Sequence, residues 1–296
     1  MYKEIAANKR RTFYMFFIFS ILMIGIGWAL SYLYNDTTIL YIAVGIAVVQ
    51  SWVSYYFADS IALATAHAKE ASKAEYGDLH RLVENLAITA GLPKPRLYVI
   101  NDPSPNAFAT GRDPNHAAIA VTTGLLEILE KRELEGVLAH ELAHVGNRDI
   151  LVMTVAVTLV GAIVLVSDML MRSWFWRSRD DNDNKSSGVV MLIAIAFAIL
   201  APLFAQLIQL AISRKREYLA DATGSMLTRF PEGLAAALEK IEHYERPMNG
   251  ANRATAHLFI NEPFGVKENR SRSWLATVFS THPPIPDRVS KLRGML

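Results

Sequence analysis

Residues 133–147 read Glu-Leu-Glu-Gly-Val-Leu-Ala-His-Glu-Leu-Ala-His-Val-Gly-Asn. Leu134, Leu138, Leu142 and Val145 recur at the spacing of one helical face. With His140 at 0° and about 100° per residue, His144 falls at about 40°, Glu141 at about 100°, and the apolar positions between about 120° and 200°. The apolar stripe can enter a core while the two imidazoles share another face. Histidines at i and i+4 can grip one metal ion. In the pattern H-E-x-x-H the intervening glutamate is a base beside the metal rather than a ligand. The pentapeptide also fits two ordinary surface histidines, so the rest of the chain decides.

The 296 residues hold 30 Lys+Arg against 28 Asp+Glu, a net charge of +2 that points to no nucleic-acid partner. Hydrophobic residues make up 52% and charged residues only 20%, below the ~25% of ordinary soluble domains. That content excludes disorder. There is no cysteine, which excludes disulfides, thiolate metal sites, cysteine nucleophiles and iron–sulfur clusters. A metal must be held by His, Asp or Glu.

The apolar excess is concentrated in four stretches without Asp, Glu, Lys or Arg: 13–34, 37–57, 150–167 and 186–213. A helix crossing a hydrocarbon core needs about 20 apolar residues, so each is a candidate span. The first is too long, and too closely followed by the second, for a signal peptide. Lys3, Lys9, Arg10 and Arg11 precede the first stretch, and the connection around Asn35 and Asp36 has no Lys or Arg. The bias sets the N-terminus in the cytoplasm. Arg214, Lys215 and Arg216 suit the same side. The intervening loop spoils a clean count, because Arg172, Arg177, Arg179 and Lys185 lie there among aspartates.

The pattern predicts two N-terminal spans over 1–57 and a first polar block over 58–149. A membrane hairpin over 150–213, with a polar loop at 172–187, then leads to a second block over 214–296. Both blocks then lie on one face of the membrane and build one domain. The first block reads as mixed: helix over 69–90, strands over 96–100 and 117–122, helices over 123–129 and 133–147. The second reads as helices over 214–228 and 232–244 with a proline-rich tail.

A catalytic zinc needs a third protein ligand and an open position. Glu217 is the best candidate, with Asp221 four residues on along the same helical face. One carboxylate can bind metal while the other accepts an N–H from a liganding histidine. The hairpin brings the helix after the fourth stretch to the helix before the third. His282 and Arg288, in a tail stiffened by Pro283, Pro284 and Pro286, are candidates to steady an oxyanion. Asn106, Ala107, Phe108 and Ala109 are a candidate sheet edge on which an extended substrate adds as a strand.

Taken together, Asn106-Ala-Phe-Ala, Thr123-Gly-Leu-Leu, HELAHVGNRD at 140–149, Arg216-Glu-Tyr-x-Ala-Asp221 and Thr281-His-Pro-Pro with Arg288 resemble the HtpX-type membrane zinc metallopeptidases, relatives of the CAAX prenyl endopeptidases. The resemblance covers nearly the whole chain. It implies a mainly α fold with a small β-sheet: a multi-span α-helical membrane protein carrying a gluzincin-like protease domain. It implies one Zn2+ per chain on His140, His144 and Glu217, with Glu141 as base and Asp221 orienting a ligand. His282 and Arg288 would border the site. The implied task is endoproteolysis of damaged or misassembled membrane proteins at the cytoplasmic face of a prokaryotic inner membrane.

Two alternatives stand beside this. A prenyl-protein protease would be expected to carry more spans and a large chamber. A non-proteolytic zinc sensor or transporter would place ionisable residues within the spans; these stretches contain none.

Overall fold

The computed structural model describes residues 2–159, 161–163, 214–244, 247–249, 258–261 and 283–295. The fourth apolar stretch, the loop at 172–187 and His282 lie outside these residues. Among the described residues the protein is mostly helical, with one small mixed sheet.

Helices α1 (Tyr2–Tyr34) and α2 (Thr38–Tyr56) carry the first two apolar stretches. Both are long and apolar enough to cross a membrane. Most of their large side chains face outward, among them Phe13, Phe17, Trp28, Tyr41 and Trp52. Between helices in lipid, contact comes from small residues rather than from apolar burial. A Cβ on Gly27 would lie 2.2 Å from that of Ala43, so glycine is what lets α1 and α2 touch there.

After the short α3 (Ala58–Thr65) the chain enters the sheet. Strand β1 (Lys69–Glu70) leads to α4 (Gly77–Ala90), then β2 (Arg96–Ile100), β3 (Ala107–Thr110) and β4 (Ala118–Thr122). The order is β1-β2-β4-β3, with β2 parallel to β4 and both edge pairs antiparallel. The sequence expectation of helix from residue 69 is corrected here: the helix begins at Gly77. Lys69 and Glu70 instead pair with Val99 and Tyr98. A two-residue exposed edge strand is too short to leave a period of two.

Helices α5 (Thr123–Ile128) and α6 (Lys131–Gly146) follow β4, and α7 (Asp149–Ile163) leaves α6 at 82°. Asn147 and Arg148 make the corner, with Arg148 in the left-handed region at φ 58°. The second block gives α8 (Arg214–Thr228), α9 (Pro231–Glu242) and α10 (Ile285–Arg293). The proline-rich tail thus ends in a helix, with proline inside its first turn, where a missing N–H costs nothing.

One apolar core draws on both blocks. Leu79, Val83 and Leu86 of α4, Ile119 and Val121 of β4, and Val137, Leu138 and Leu142 of α6 join Leu234 and Leu238 of α9 and Leu292 of α10. A second cluster joins Met15, Phe19 and Leu22 of α1 to Leu151, Val155 and Leu159 of α7. Helix α6 thus lies in the middle of the protein, and α7 runs from its end back along the first apolar helix.

Candidate metal centre

The HELAH segment sits on a helix enclosed on every side: all residues from Gly136 to Val145 are buried. The first turn is fixed by the Glu130 N–H donating to Glu133 Oε2 at 2.7 Å. Lys240 of α9 donates to the same oxygen at 2.8 Å. Val137, Leu138, Leu142 and Val145 fill the apolar core and are fully buried. The remaining face turns His140, Glu141 and His144 toward α8 and α10.

Helix α8 answers with Arg216, Glu217, Ala220, Asp221, Gly224 and Ser225, its buried residues. The approach is close because Gly224 has no side chain. A Cβ there would meet the His140 backbone nitrogen at 2.9 Å. That approach brings Glu217, 77 positions along the chain from His140 (217 minus 140), onto the histidine face.

The two ring Nε2 atoms stand 3.2 Å apart, with the rings nearly perpendicular at 87°. Glu217 Oε1 lies 3.5 Å from His144 Nε2, and Oε2 lies 3.7 Å from His140 Nε2. Among the described residues these three offer ligand atoms that all fall within 4.8 Å of one another. Two atoms each ~2.0–2.1 Å from one zinc ion at the tetrahedral angle stand about 3.3–3.4 Å apart. The donor separations therefore fit a tetrahedral zinc site with two nitrogens and one oxygen.

The outer contacts hold the rings. His140 Nδ1 is 2.9 Å from Asp221 Oδ1. Arg288 of α10 is fully buried and grips Asp221 with two donors, Nε to Oδ2 at 2.9 Å and Nη2 to Oδ1 at 2.7 Å. Its Nη1 has no hydrogen-bond acceptor among the described residues and sits 3.8 Å from Glu217 Oε2. On the other ring, His144 Nδ1 is 3.1 Å from Asp149 Oδ2, at the start of α7. With Nε2 turned to the metal position, His144 Nδ1 can donate to Asp149, and His140 Nδ1 lies beside Asp221 without an aligned hydrogen bond. Arg216 Nη1 lies 3.8 Å from Asp149 Oδ1.

The charge balance of this buried cluster favours a dication. Glu141, Asp149, Glu217 and Asp221 are carboxylates, Arg216 and Arg288 are guanidiniums, and all are at most 5% exposed. With neutral imidazoles the sum is two negative charges, in surroundings where unpaired charge is costly. In the metal-free protein a proton on His144 takes up part of the difference. Burial opposes charging His144, but the bond to Asp149 and the carboxylates of Glu217 and Glu141 prevail and raise its pKa to about 9. Burial likewise opposes ionising Asp221, yet the Arg288 charge and the His140 contact lower its pKa to about 2.

Other sequence candidates fall as follows. Ala107, Phe108 and Ala109 form β3, an edge strand of the sheet, with Asn106 just before it. That edge is covered by residues 258–261. The Ile260 N–H donates to Ala107 O at 2.9 Å. The Asn106 amide pairs with the Asn261 backbone in both directions, Nδ2 to O at 2.9 Å and N to Oδ1 at 3.1 Å. The remaining described histidines have local partners or none: His80 Nε2 meets Ala71 O, His116 meets Asp113, and His243 meets Glu239 O. Asp149 was not singled out from sequence as a partner of His144. Its signal was available, a carboxylate five residues beyond the second motif histidine. Arg216 and Asn8 were missed as well.

The model of peptidase family M48 matches residues 73–296. A protease HtpX homolog of Caldanaerobacter subterraneus subsp. tengcongensis is 45% identical over 302 residues, covering 100% of this chain and 98% of the relative. One from Tropheryma whipplei is 43% identical over 295 residues, with the same coverage of each. Among solved structures, that of S. mikatae Ste24p is similar with a TM-score of 0.52 at 19% identity. It covers 92% of this chain, which spans 62% of that longer one. The likeness to that structure concerns the fold.

Proposed function

The chain belongs to peptidase family M48 and is a metalloendopeptidase, and from that premise we propose that it is a zinc-dependent, membrane-bound enzyme that cuts damaged or misassembled membrane proteins at the cytoplasmic face of a prokaryotic inner membrane. The observation that carries the reading is the pair of Nε2 atoms 3.2 Å apart with the Glu217 carboxylate against both.

His140, His144 and Glu217 hold the metal. When bound, zinc lowers the pKa of a coordinated water toward about 7 and polarises the scissile carbonyl. Glu141, between the two histidines on α6, takes the proton from the attacking water and passes it to the leaving amine. Asp221 and Asp149 keep the His140 and His144 rings in the tautomer that presents Nε2. Arg288 holds Asp221, and its Nη1 is the donor placed to steady charge beside Glu217.

The site is closely wrapped: His140, Glu141 and His144 are 1%, 3% and 4% exposed. A folded domain cannot bring a peptide bond there, whereas an extended unfolded segment can. Such a segment adds along β3, at Asn106–Ala109, where residues 258–261 now pair. The basic run Lys9, Arg10 and Arg11 before the first apolar stretch supports a cytoplasmic N-terminus. The membrane helices then hold the site where loops of other membrane proteins come within reach.

The test is cleavage of a membrane protein with a disordered cytoplasmic loop, followed by gel, for the parent and Glu141→Gln in detergent. The reading expects the parent alone to cut, and chelator to stop it. A parent that binds zinc and never cuts moves the non-proteolytic sensor to the front.

A further inference from the structure

We propose that Asn8, on the first apolar helix, is a positioning residue of the metal centre. It holds Asp149, and through Asp149 the ring of His144. The inference rests on the reading of His144 as a ligand and extends the site into α1.

Asn8 is fully buried, although it stands next to the basic run Lys9, Arg10 and Arg11. Its Nδ2 donates to Asp149 Oδ1 at 2.7 Å and to Asn147 O at 3.0 Å. Those two acceptors flank Arg148 at the corner between α6 and α7, where the backbone turns through the left-handed region. The other oxygen of Asp149 meets His144 Nδ1 at 3.1 Å. Arg11, one turn along α1, donates from Nη1 to Asn8 Oδ1 at 2.9 Å. With its oxygen taken by a cation, the amide can present only its N–H groups to the corner. The chain of contacts runs Arg11, Asn8, Asp149, His144, with Arg216 Nη1 3.8 Å from the Asp149 oxygen that Asn8 reaches.

A plainer account exists. Polar side chains often bond across helices in membranes as general adhesive. Gln50 of α2 does that, with Nε2 3.3 Å from Thr158 O of α7. Asn8 differs in what it touches: one of its acceptors is the carboxylate that orients a candidate ligand. A carboxylate with one oxygen on a histidine and the other untethered can swing. Asn8, at 2.7 Å against 3.8 Å for Arg216 Nη1, is the nearer tether on that oxygen and limits the swing. A carboxylate bonded to a ligating histidine, as Asp149 is, changes metal affinity by about 10–100-fold when lost, which bounds from above what Asn8 can do through it.

The experiment uses the full chain in detergent. Zinc affinity is measured by competition with a chromophoric chelator, and the visible absorption of the cobalt-loaded protein reports ligand geometry. Asn8→Ala is expected to weaken zinc binding by up to about 10-fold, the lower end of the range for a lost direct partner, and to alter the cobalt bands, while Gln50→Ala leaves both as in the parent. Asn8→Asp, which sets a carboxylate against Asp149, is expected to weaken zinc further. If Asn8→Ala does not fold, Arg11→Ala carries the test, since it frees the amide to turn over; it must shift affinity and spectrum in the same direction. Parental affinity and parental bands in Asn8→Ala, or in Arg11→Ala where that variant is used, overturn the proposal. So does an equal loss in Gln50→Ala, which would make the contact general adhesive. His144→Ala separates the two levels: parental zinc binding there removes the metal-centre reading itself, whereas its loss beside an unchanged Asn8→Ala removes only this inference.

Discussion

Gly224 and His140 touch backbone to backbone: a Cβ built on Gly224 would lie 2.9 Å from the His140 nitrogen and 3.1 Å from its Cα. The contact is between α8 and α6, and the listener on each side is a helix that carries part of the metal set. Neither backbone can give way without moving Glu217 from the two histidines. Gly224→Val is expected to weaken zinc binding by about ten-fold or more, in the range of lost outer support. Chelator competition measures it, and parental affinity would show that the spacing of the two helices is set elsewhere.

Glu141 is buried between the two histidines proposed as ligands and is assigned no bond to the metal. Glu141→Gln keeps the size and removes the base. Zinc content should stay at the parental level while the cleavage rate falls by about 10²–10⁴-fold, the usual worth of a positioned base. Metal analysis and cleavage of one preparation check both halves. Loss of zinc together with activity would make Glu141 a ligand.

Asp221 and Arg288 form a two-point ion pair in which Arg288 is fully buried. Removing Asp221 leaves Arg288 buried with only the longer 3.8 Å contact to Glu217, at a cost approaching the about 3–5 kcal/mol of a broken buried pair. Asp221→Asn should therefore lower the melting temperature of the metal-free protein as well as weaken zinc. Arg288→Lys should not rescue the contact, because an ammonium cannot grip a carboxylate with a planar fork. The Asp221 pKa is lowered to about 2, so its contribution is present above the ordinary carboxylate range and lost only as pH falls toward 2. A stability difference between parent and Asp221→Asn that vanishes already between pH 6 and 5 would contradict the assignment.

In the metal-free protein His144 titrates at about 9, above the ordinary value of 6.5. A raised histidine pKa contributes stability that is complete below 6.5 and fades as pH rises through 9. At pH 7.5 His144 thus holds a proton that zinc must displace. Titration calorimetry in buffers of different ionisation enthalpy should find about one proton per zinc at pH 7.5 beyond what the coordinated water releases, and this His144 contribution should be gone well above pH 9. No release beyond the water's at pH 7.5 would mean that the ring is neutral before the metal arrives.

Much of this protein is legible in its sequence where the signal is periodic or local. The helix over 133–147, the strand at 96–100 and the helix at 214–228 follow from spacing, and the structure places them at Lys131–Gly146, Arg96–Ile100 and Arg214–Thr228. The three residues that could hold a metal are legible because two of them share one helical turn and the third has a carboxylate partner four residues on. What escaped lies in contacts between distant segments. Asn8 and Asp149 are 141 positions apart and share no period. The cover on β3 is made by Ile260 and Asn261, in a stretch whose sequence reads only as polar and irregular. Helix α10 hid behind its prolines, which read as a stiff tail until they are seen to open a helix. In each case tertiary contact, not local propensity, settles the outcome.

The account stands on Glu217 as the third metal ligand beside His140 and His144. The most direct test is metal content by mass spectrometry of the parent and Glu217→Ala, purified side by side. The account predicts about one zinc per chain in the parent and little or none in Glu217→Ala. A Glu217→Ala protein that keeps a full complement of zinc would contradict it and place the metal elsewhere.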